Sequence, residues 1–254
     1  MSNVIIGFLA SLLAGISTGI GAIPIFFTKK VSHKYLDAML GFAAGVMLSA
    51  TCFSLIIPSI DYGGGNIKAV LITSAGILSG GIMLDLIDKY APHQHYLFNK
   101  KSEGRASNLT KVWLFIIAIT IHNFPEGLAV GVGFGGNNIN DGISLAIGIA
   151  LQNMPEGLAV GLALIREDYS AKKAFLIALL TGLVEPVGGV IGVSLVSIAQ
   201  PILPFILALA AGAMLFVISD EIIPETHEHG YERIATYGLL IGFIIMMIMD
   251  VTLG

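Results

Sequence analysis

Residues 122–131 read His-Asn-Phe-Pro-Glu-Gly-Leu-Ala-Val-Gly, and residues 152–161 read Gln-Asn-Met-Pro-Glu-Gly-Leu-Ala-Val-Gly. The two phrases differ only at His122/Gln152 and Phe124/Met154. Each places an amide, a proline and a carboxylate inside a run that is otherwise apolar. Polar groups in such a run carry a solvation cost, so they imply either neutralised, hydrogen-bonded side chains or a ligand.

Around the phrases the chain divides into eight apolar segments, approximately 4–27, 36–58, 67–87, 112–134, 142–164, 174–198, 202–220 and 234–253. Each is near the ~20 residues that a helix needs to cross a bilayer. Hydrophobic residues make up 55% of the chain and charged ones 12%, with a mean hydropathy of +0.86. That balance belongs to a protein whose solvent is lipid rather than water. The reading is therefore an all-α integral membrane protein, a single transmembrane domain over residues 1–254 with eight membrane helices. The first apolar run lacks a basic leader and reads as an uncleaved membrane helix. A net charge of −4 and the lone Cys52 speak against nucleic-acid binding, a disulfide framework or a cysteine metal site.

The loops set the orientation. Twelve of the 13 basic residues fall in alternate connections, including a polar, basic loop at about 89–111; only Lys68 lies on the other side. The positive-inside rule then puts those loops in the cytoplasm and both termini outside, as expected of a multi-pass protein of the cell (inner or plasma) membrane. The two phrases fall near the middles of consecutive, antiparallel helices. Identical words read in opposite directions predict inverted-repeat pseudosymmetry, the arrangement of secondary transporters whose sites lie at the bilayer midplane.

In a helix, His122 and Glu126 lie on one face, one turn apart, and Gln152 and Glu156 repeat that spacing. Asn123 and Asn153 sit about 100° round the helix, bordering the same space. Pro125 and Pro155 cannot donate to the carbonyls of Ile121 and Leu151, so kinked helices with spare carbonyl oxygens are expected. A third carboxylate, Glu185, precedes Pro186 in the sixth segment. Three intramembrane glutamates with no Lys or Arg in any apolar core call for protons, water or cations. A cation site accounts for the carboxylates, His122 and the amides together. Imidazole with carboxylate suits first-row divalent ions such as zinc, iron or manganese, with cadmium as a softer analogue. Met47, in the middle of the second segment, is a candidate soft ligand.

The twin phrase resembles the fourth- and fifth-helix signature of the ZIP (Zrt/Irt-like) divalent-metal transporters, in the GufA-like prokaryotic branch with Pro-Glu-Gly in both helices. The resemblance covers nearly the whole chain. It implies inward transport of a divalent metal through a site between helices two, four, five and six, with zinc the leading substrate and a homodimer as the assembly. By position it implies one metal held by Met47, His122, Glu126, Gln152 and Glu156. A second would lie among Asn123, Glu126, Asn153, Glu156 and Glu185, with Glu126 and Glu156 bridging. Some relatives carry His where Gln152 stands and Asp where Asn153 stands, so a weaker second position is expected. The resemblance also implies an exit path along Asp220, Glu221, His227, Glu228 and His229, and an entrance at Ser54, Asp61 and Asp250. An acidic mouth concentrates divalent cations.

Two other classes stay open on the residues alone. An intramembrane metalloenzyme lacks support, because no His-Glu-x-x-His occurs and the spans hold too few histidines. A proton or monovalent-cation pathway would use the glutamates without His122.

Overall fold

The computed structural model describes residues 3–28, 31–90, 111–135, 139–198, 200–227 and 230–253. These form a helical bundle, with no strand among the described residues. In chain order its α-helices are α1 (Asn3–Ala22), α2 (His33–Ala50), α3 (Ile57–Tyr62), α4 (Ile67–Tyr90), α5 (Lys111–Gly133) and α6 (Ile139–Arg166). There follow α7 (Ala171–Gly182), α8 (Glu185–Ile198), α9 (Leu203–Val217), α10 (Ile223–Thr226) and α11 (Glu232–Leu253). Among the described residues seven segments are long and apolar enough to cross a membrane: Asn3–Phe26, His33–Tyr62, Ile67–Ile87, Ile139–Ile165, Ala171–Val196, Leu203–Thr226 and Glu232–Leu253. The 23-residue α5, which carries the first phrase, stands beside them in the bundle.

Local sequence chemistry explains the helix starts. Ser32 opens α2 by accepting a hydrogen bond from the Tyr35 amide at 3.3 Å, and Ser170 opens α7 by accepting one from the Lys173 amide. After α3 the chain turns through Gly64 and Gly65, with φ of 96° and 64°, a conformation that side-chain-bearing residues avoid. Two rods are not regular. Thr51–Ile56, between α2 and α3, and Ile218–Ile222, between α9 and α10, wind as π-helix. Both run into a proline, Pro58 or Pro224, that cannot donate to the preceding turn. Widening the turn absorbs the lost hydrogen bond without breaking the rod.

These π segments lengthen the rods relative to the apolar segments read from the sequence. The second runs His33–Tyr62 and the seventh Leu203–Thr226. Asp220 and Glu221 therefore lie inside the seventh rod, short of its end at Thr226. The expected kinks at Pro125 and Pro155 leave α5 and α6 continuous. The sixth rod, by contrast, breaks at Leu183 and Val184, and Glu185 is the first residue of α8.

Packing follows the glycines. A Cβ on Gly127 would stand 2.1 Å from the Glu185 carbonyl oxygen, and one on Gly157 would stand 1.8 Å from that of Thr18. The glycine of each phrase is thus where helices touch backbone to backbone, α5 against α8 and α6 against α1. Small residues at crossings are how helices pack when lipid removes the hydrophobic drive between them. The other close pairs are α2 with α11 and α4 with α9. The outer faces are apolar: Leu71, Leu78, Tyr237, Ile241 and Val251 are exposed. A soluble protein would cover such a surface; a bilayer solvates it.

Candidate metal centre

The two phrases meet in the middle of the bundle. His122, Asn123 and Glu126 from α5, Gln152, Asn153 and Glu156 from α6, and Glu185 from the start of α8 are all buried. Their own contacts knit the helices together. Gln152 donates through Nε2 to Glu126 Oε1 at 2.6 Å. Asn153 donates through Nδ2 to Glu185 Oε1 at 2.6 Å and to the Ala14 carbonyl of α1 at 2.9 Å. His122 Nε2 lies 2.6 Å from Glu221 Oε1, in the π segment of the seventh rod.

What is left over is almost entirely acceptor. Glu126 Oε2, Gln152 Oε1, Asn153 Oδ1, both oxygens of Glu156, Glu185 Oε2 and both polar atoms of Asn123 are buried without a hydrogen-bond partner. Buried polar atoms are normally paired, and orphans mark a missing ligand or a functional strain. No Lys or Arg is among the buried described residues. Several oxygens in a low-dielectric interior with no cationic side chain call for protons, water or a cation. As the side chains stand, no three His, Cys, Asp or Glu groups among the described residues converge tightly enough to hold an ion. The reason is visible in the pairings: Glu126, Glu185 and His122 are each turned toward an internal partner, and the amides complete the donor set.

Other candidates divide. Met47 is buried on α2 within the apolar core that also contains Met214. Of the exit residues, Glu221 reaches the centre itself. Asp220 is exposed, and His227 is exposed at the end of α10 with its Nδ1 2.9 Å from Thr226 Oγ1. Glu228 and His229 lie outside the described residues, as does nearly all of the basic loop.

The three entrance residues come together. Ser54, Asp61 and Asp250 line one cavity of about 340 Å³, with Asp141 as a further acid. Asp250 Oδ1 accepts from Ser54 Oγ at 2.7 Å and from Ser144 Oγ at 3.0 Å. The cavity holds three carboxylates and, in its lining, no base. An acidic cavity of this kind raises the local cation concentration. Asp250→Asn keeps the two serine contacts while removing the charge. It is expected to weaken the binding of divalent cations at this cavity several-fold, and to weaken the dependence of that binding on ionic strength.

Sequence reading missed Asp141 and the meeting of Glu221 with His122. A signal for the latter exists. Residues 43–48 read Ala-Ala-Gly-Val-Met-Leu and 210–215 read Ala-Ala-Gly-Ala-Met-Leu, and each run leads to Ile-Ile-Pro, at 56–58 and 222–224. The second and seventh rods thus share a phrase of their own. The spacing between its halves differs by one residue, so an ungapped comparison passes over it.

Residues 88–250 match the family model described as ZIP Zinc transporter. The chain is 44% identical to Zinc transporter GufA of Myxococcus xanthus, over 98% of this chain and 99% of that protein. It is 41% identical to Zinc transporter ZIPB of Bordetella bronchiseptica, over 94% of this chain and 78% of that protein. Zinc transporter ZIP11 of Homo sapiens is 35% identical over 93% of this chain and 94% of its own length. These relatives are named for transport and not for catalysis. With a family model covering more than half of its residues and relatives matched along nearly its whole length, the chain belongs to the ZIP zinc transporter family.

Proposed function

We propose that the protein carries a divalent transition metal, zinc foremost, into the cytoplasm through the centre between α5, α6 and α8. Cadmium, iron and manganese are chemically admissible, because imidazole, carboxylate and amide oxygen are ligands to each of them. The observation that carries the reading is the set of buried, unpartnered oxygens on Glu126, Gln152, Glu156 and Glu185, with no buried Lys or Arg among the described residues.

His122, Glu126, Gln152 and Glu156 form the main ligand set, with Met47 completing it from α2. The chemistry of the contacts suggests how metal enters and leaves. The His122 Nε2 that would bind metal is the atom that Glu221 holds. Metal and Glu221 therefore compete for one nitrogen. An ion arriving from the outer cavity displaces Glu221; return of Glu221 to His122 promotes release toward α10 and the cytoplasm. Eight membrane helices with both termini outside fit this direction, since the basic connections then face inward.

The pairing of rods supports an inverted repeat. The contacts α6 on α1 and α5 on α8 form one matched pair, and α2 on α11 and α4 on α9 another. One member of each pair carries the same phrase as its counterpart: Pro-Glu-Gly on α5 and α6, Ala-Ala-Gly-x-Met-Leu on α2 and α9. Rocking of α1, α5, α6, α7 and α8 against α2, α4, α9 and α11 would open the centre alternately to either side.

The test is uptake of zinc, cadmium, manganese and iron into proteoliposomes containing the purified chain. Zinc is expected to enter faster than into protein-free vesicles, and excess cadmium to inhibit it. Uptake of protons or sodium with no divalent-metal uptake would replace this reading by the monovalent pathway.

A further inference from the structure

Asn123 and Asn153 occupy equivalent places in the two phrases, yet their surroundings are opposite. Both polar atoms of Asn123 are buried and unpartnered. Asn153 spends its amide twice, on the Ala14 carbonyl of α1 and on Glu185 Oε1. The orientation of that amide is fixed by its partners. A backbone carbonyl only accepts, so the atom facing Ala14 must be the NH2 group, and its second hydrogen is the one that meets Glu185. Gln152 is held differently: its Nε2 has a single side-chain acceptor, Glu126, and its Oε1 is unpartnered. Gln152 can turn its oxygen toward a metal by giving up one hydrogen bond. Asn153 Oδ1 is unpartnered too, but bringing it round to face Glu185 would take the NH2 group away from both α1 and α8.

We propose that the Asn153 amide is a built-in substitute for a second cation, pinning the Ala14 carbonyl and Glu185 together so that the chain binds one metal per centre instead of two. This rests on the metal-centre reading above and specifies its stoichiometry. The amide supplies two N–H donors at the point where α1, α6 and the broken sixth rod meet. A carboxylate oxygen that would otherwise need a cation is held by a donor that never leaves, and the same amide ties it to the Ala14 carbonyl, which Ser17 Oγ also donates to. The same bridge holds α1, α6 and α8 as one unit whether or not metal is bound. The centre keeps an asymmetry that the repeated phrase alone does not reveal: its Asn123 side is open, its Asn153 side closed. Asn153→Asp reverses this, because two carboxylates and a carbonyl then face one another and require an ion between them.

The experiment is equilibrium dialysis of the full-length protein in detergent against zinc, with bound metal counted by mass spectrometry. Each protein is compared with its own Glu126→Ala counterpart, so that zinc on surface histidines cancels. Thermal unfolding is followed in parallel, with chelator and with zinc. Wild type is expected to bind one zinc at the centre. Asn153→Asp is expected to bind two, the second on the order of ten-fold or more tighter than any second binding by wild type, the scale on which a single ligand or its supporting contact acts. Its unfolding temperature should fall in chelator and recover with zinc by a larger margin than that of wild type. Two zinc ions at the wild-type centre would overturn the proposal whether or not the variant folds. So would one zinc in Asn153→Asp with an unfolding temperature no more metal-dependent than that of wild type. A wild-type protein with no zinc above its Glu126→Ala counterpart would instead remove the metal centre itself, and this proposal with it.

Discussion

Zinc uptake into proteoliposomes is expected to fall to the protein-free background when Glu126 is replaced by alanine. Glu126 is buried, accepts from Gln152 Nε2 through one oxygen and leaves the other unpartnered. Alanine removes a carboxylate from the proposed ligand set and strands the Gln152 amide as well. Loss of a group that merely supports a metal ligand costs about 10–100-fold in affinity, so loss of the carboxylate itself should cost at least ~100-fold. The protein should still fold, because the helix contacts at Gly127 and Gly157 do not involve this side chain. A stranded buried amide costs about 1–3 kcal/mol, tolerable for a chain of this size. Glu126→Gln separates the two effects. It can still accept a hydrogen bond from Gln152, so stability should be close to wild type, while uptake remains at background. Measuring uptake and gel-filtration profile on the same preparations checks both halves. Normal uptake by either variant would contradict the assignment.

Gly157→Val is the second large effect, and it acts through packing alone. Even a single Cβ at this position would stand 1.8 Å from the Thr18 carbonyl oxygen, a separation at which backbone must move. Overpacking a tight contact typically costs about 1–3 kcal/mol, and occasionally more. Here the neighbour is the main chain of α1, which also accepts from Asn153 through the Ala14 carbonyl. Displacing α1 therefore disturbs the centre from behind. A loss of 3 kcal/mol or more corresponds to a fall in Tm of roughly 6–12 °C for a chain of this length. The expected result is a protein that aggregates on extraction or unfolds at least that much earlier. Gly65→Ala gives a contrast: its φ of 64° carries the strain of a left-handed turn, but a Cβ there meets nothing within 4 Å. It should cost only about 1 kcal/mol and leave uptake unchanged, as thermal unfolding and flux assays on that variant would show.

The helical class and the heart of the centre were legible because both write themselves in composition and spacing. Runs of about 20 apolar residues announce membrane helices, and His122, Glu126, Gln152 and Glu156 stand out because the residues around them are apolar. The Glu185-Pro186 step announced a disturbance in the sixth rod, and the structure turns it into a break at Leu183 and Val184. Ser54, Asp61 and Asp250, far apart in the sequence, line one cavity. What escaped depended on periods other than 3.6. A π turn inserts one residue and rotates everything beyond it by about 100°. Glu221 lies in such a turn, so a regular helix puts its side chain on the wrong face and the rod's end in the wrong place. The fate of Asn153 also lay beyond reading. Its identity suggested a weaker ligand; only its contact with the Ala14 carbonyl, 139 residues earlier in the chain, shows that the amide is committed as a donor.

The most direct test of the central claim, that the two copies of one phrase form the two halves of a single cation site, is anomalous diffraction from crystals grown with zinc or cadmium. The account predicts an anomalous peak between α5 and α6, bounded by Glu126 and Glu156, with His122 turned away from Glu221 to reach it. Peaks confined to the exposed acids and histidines, with the Glu126–Gln152 and His122–Glu221 contacts intact at saturating metal, would contradict it.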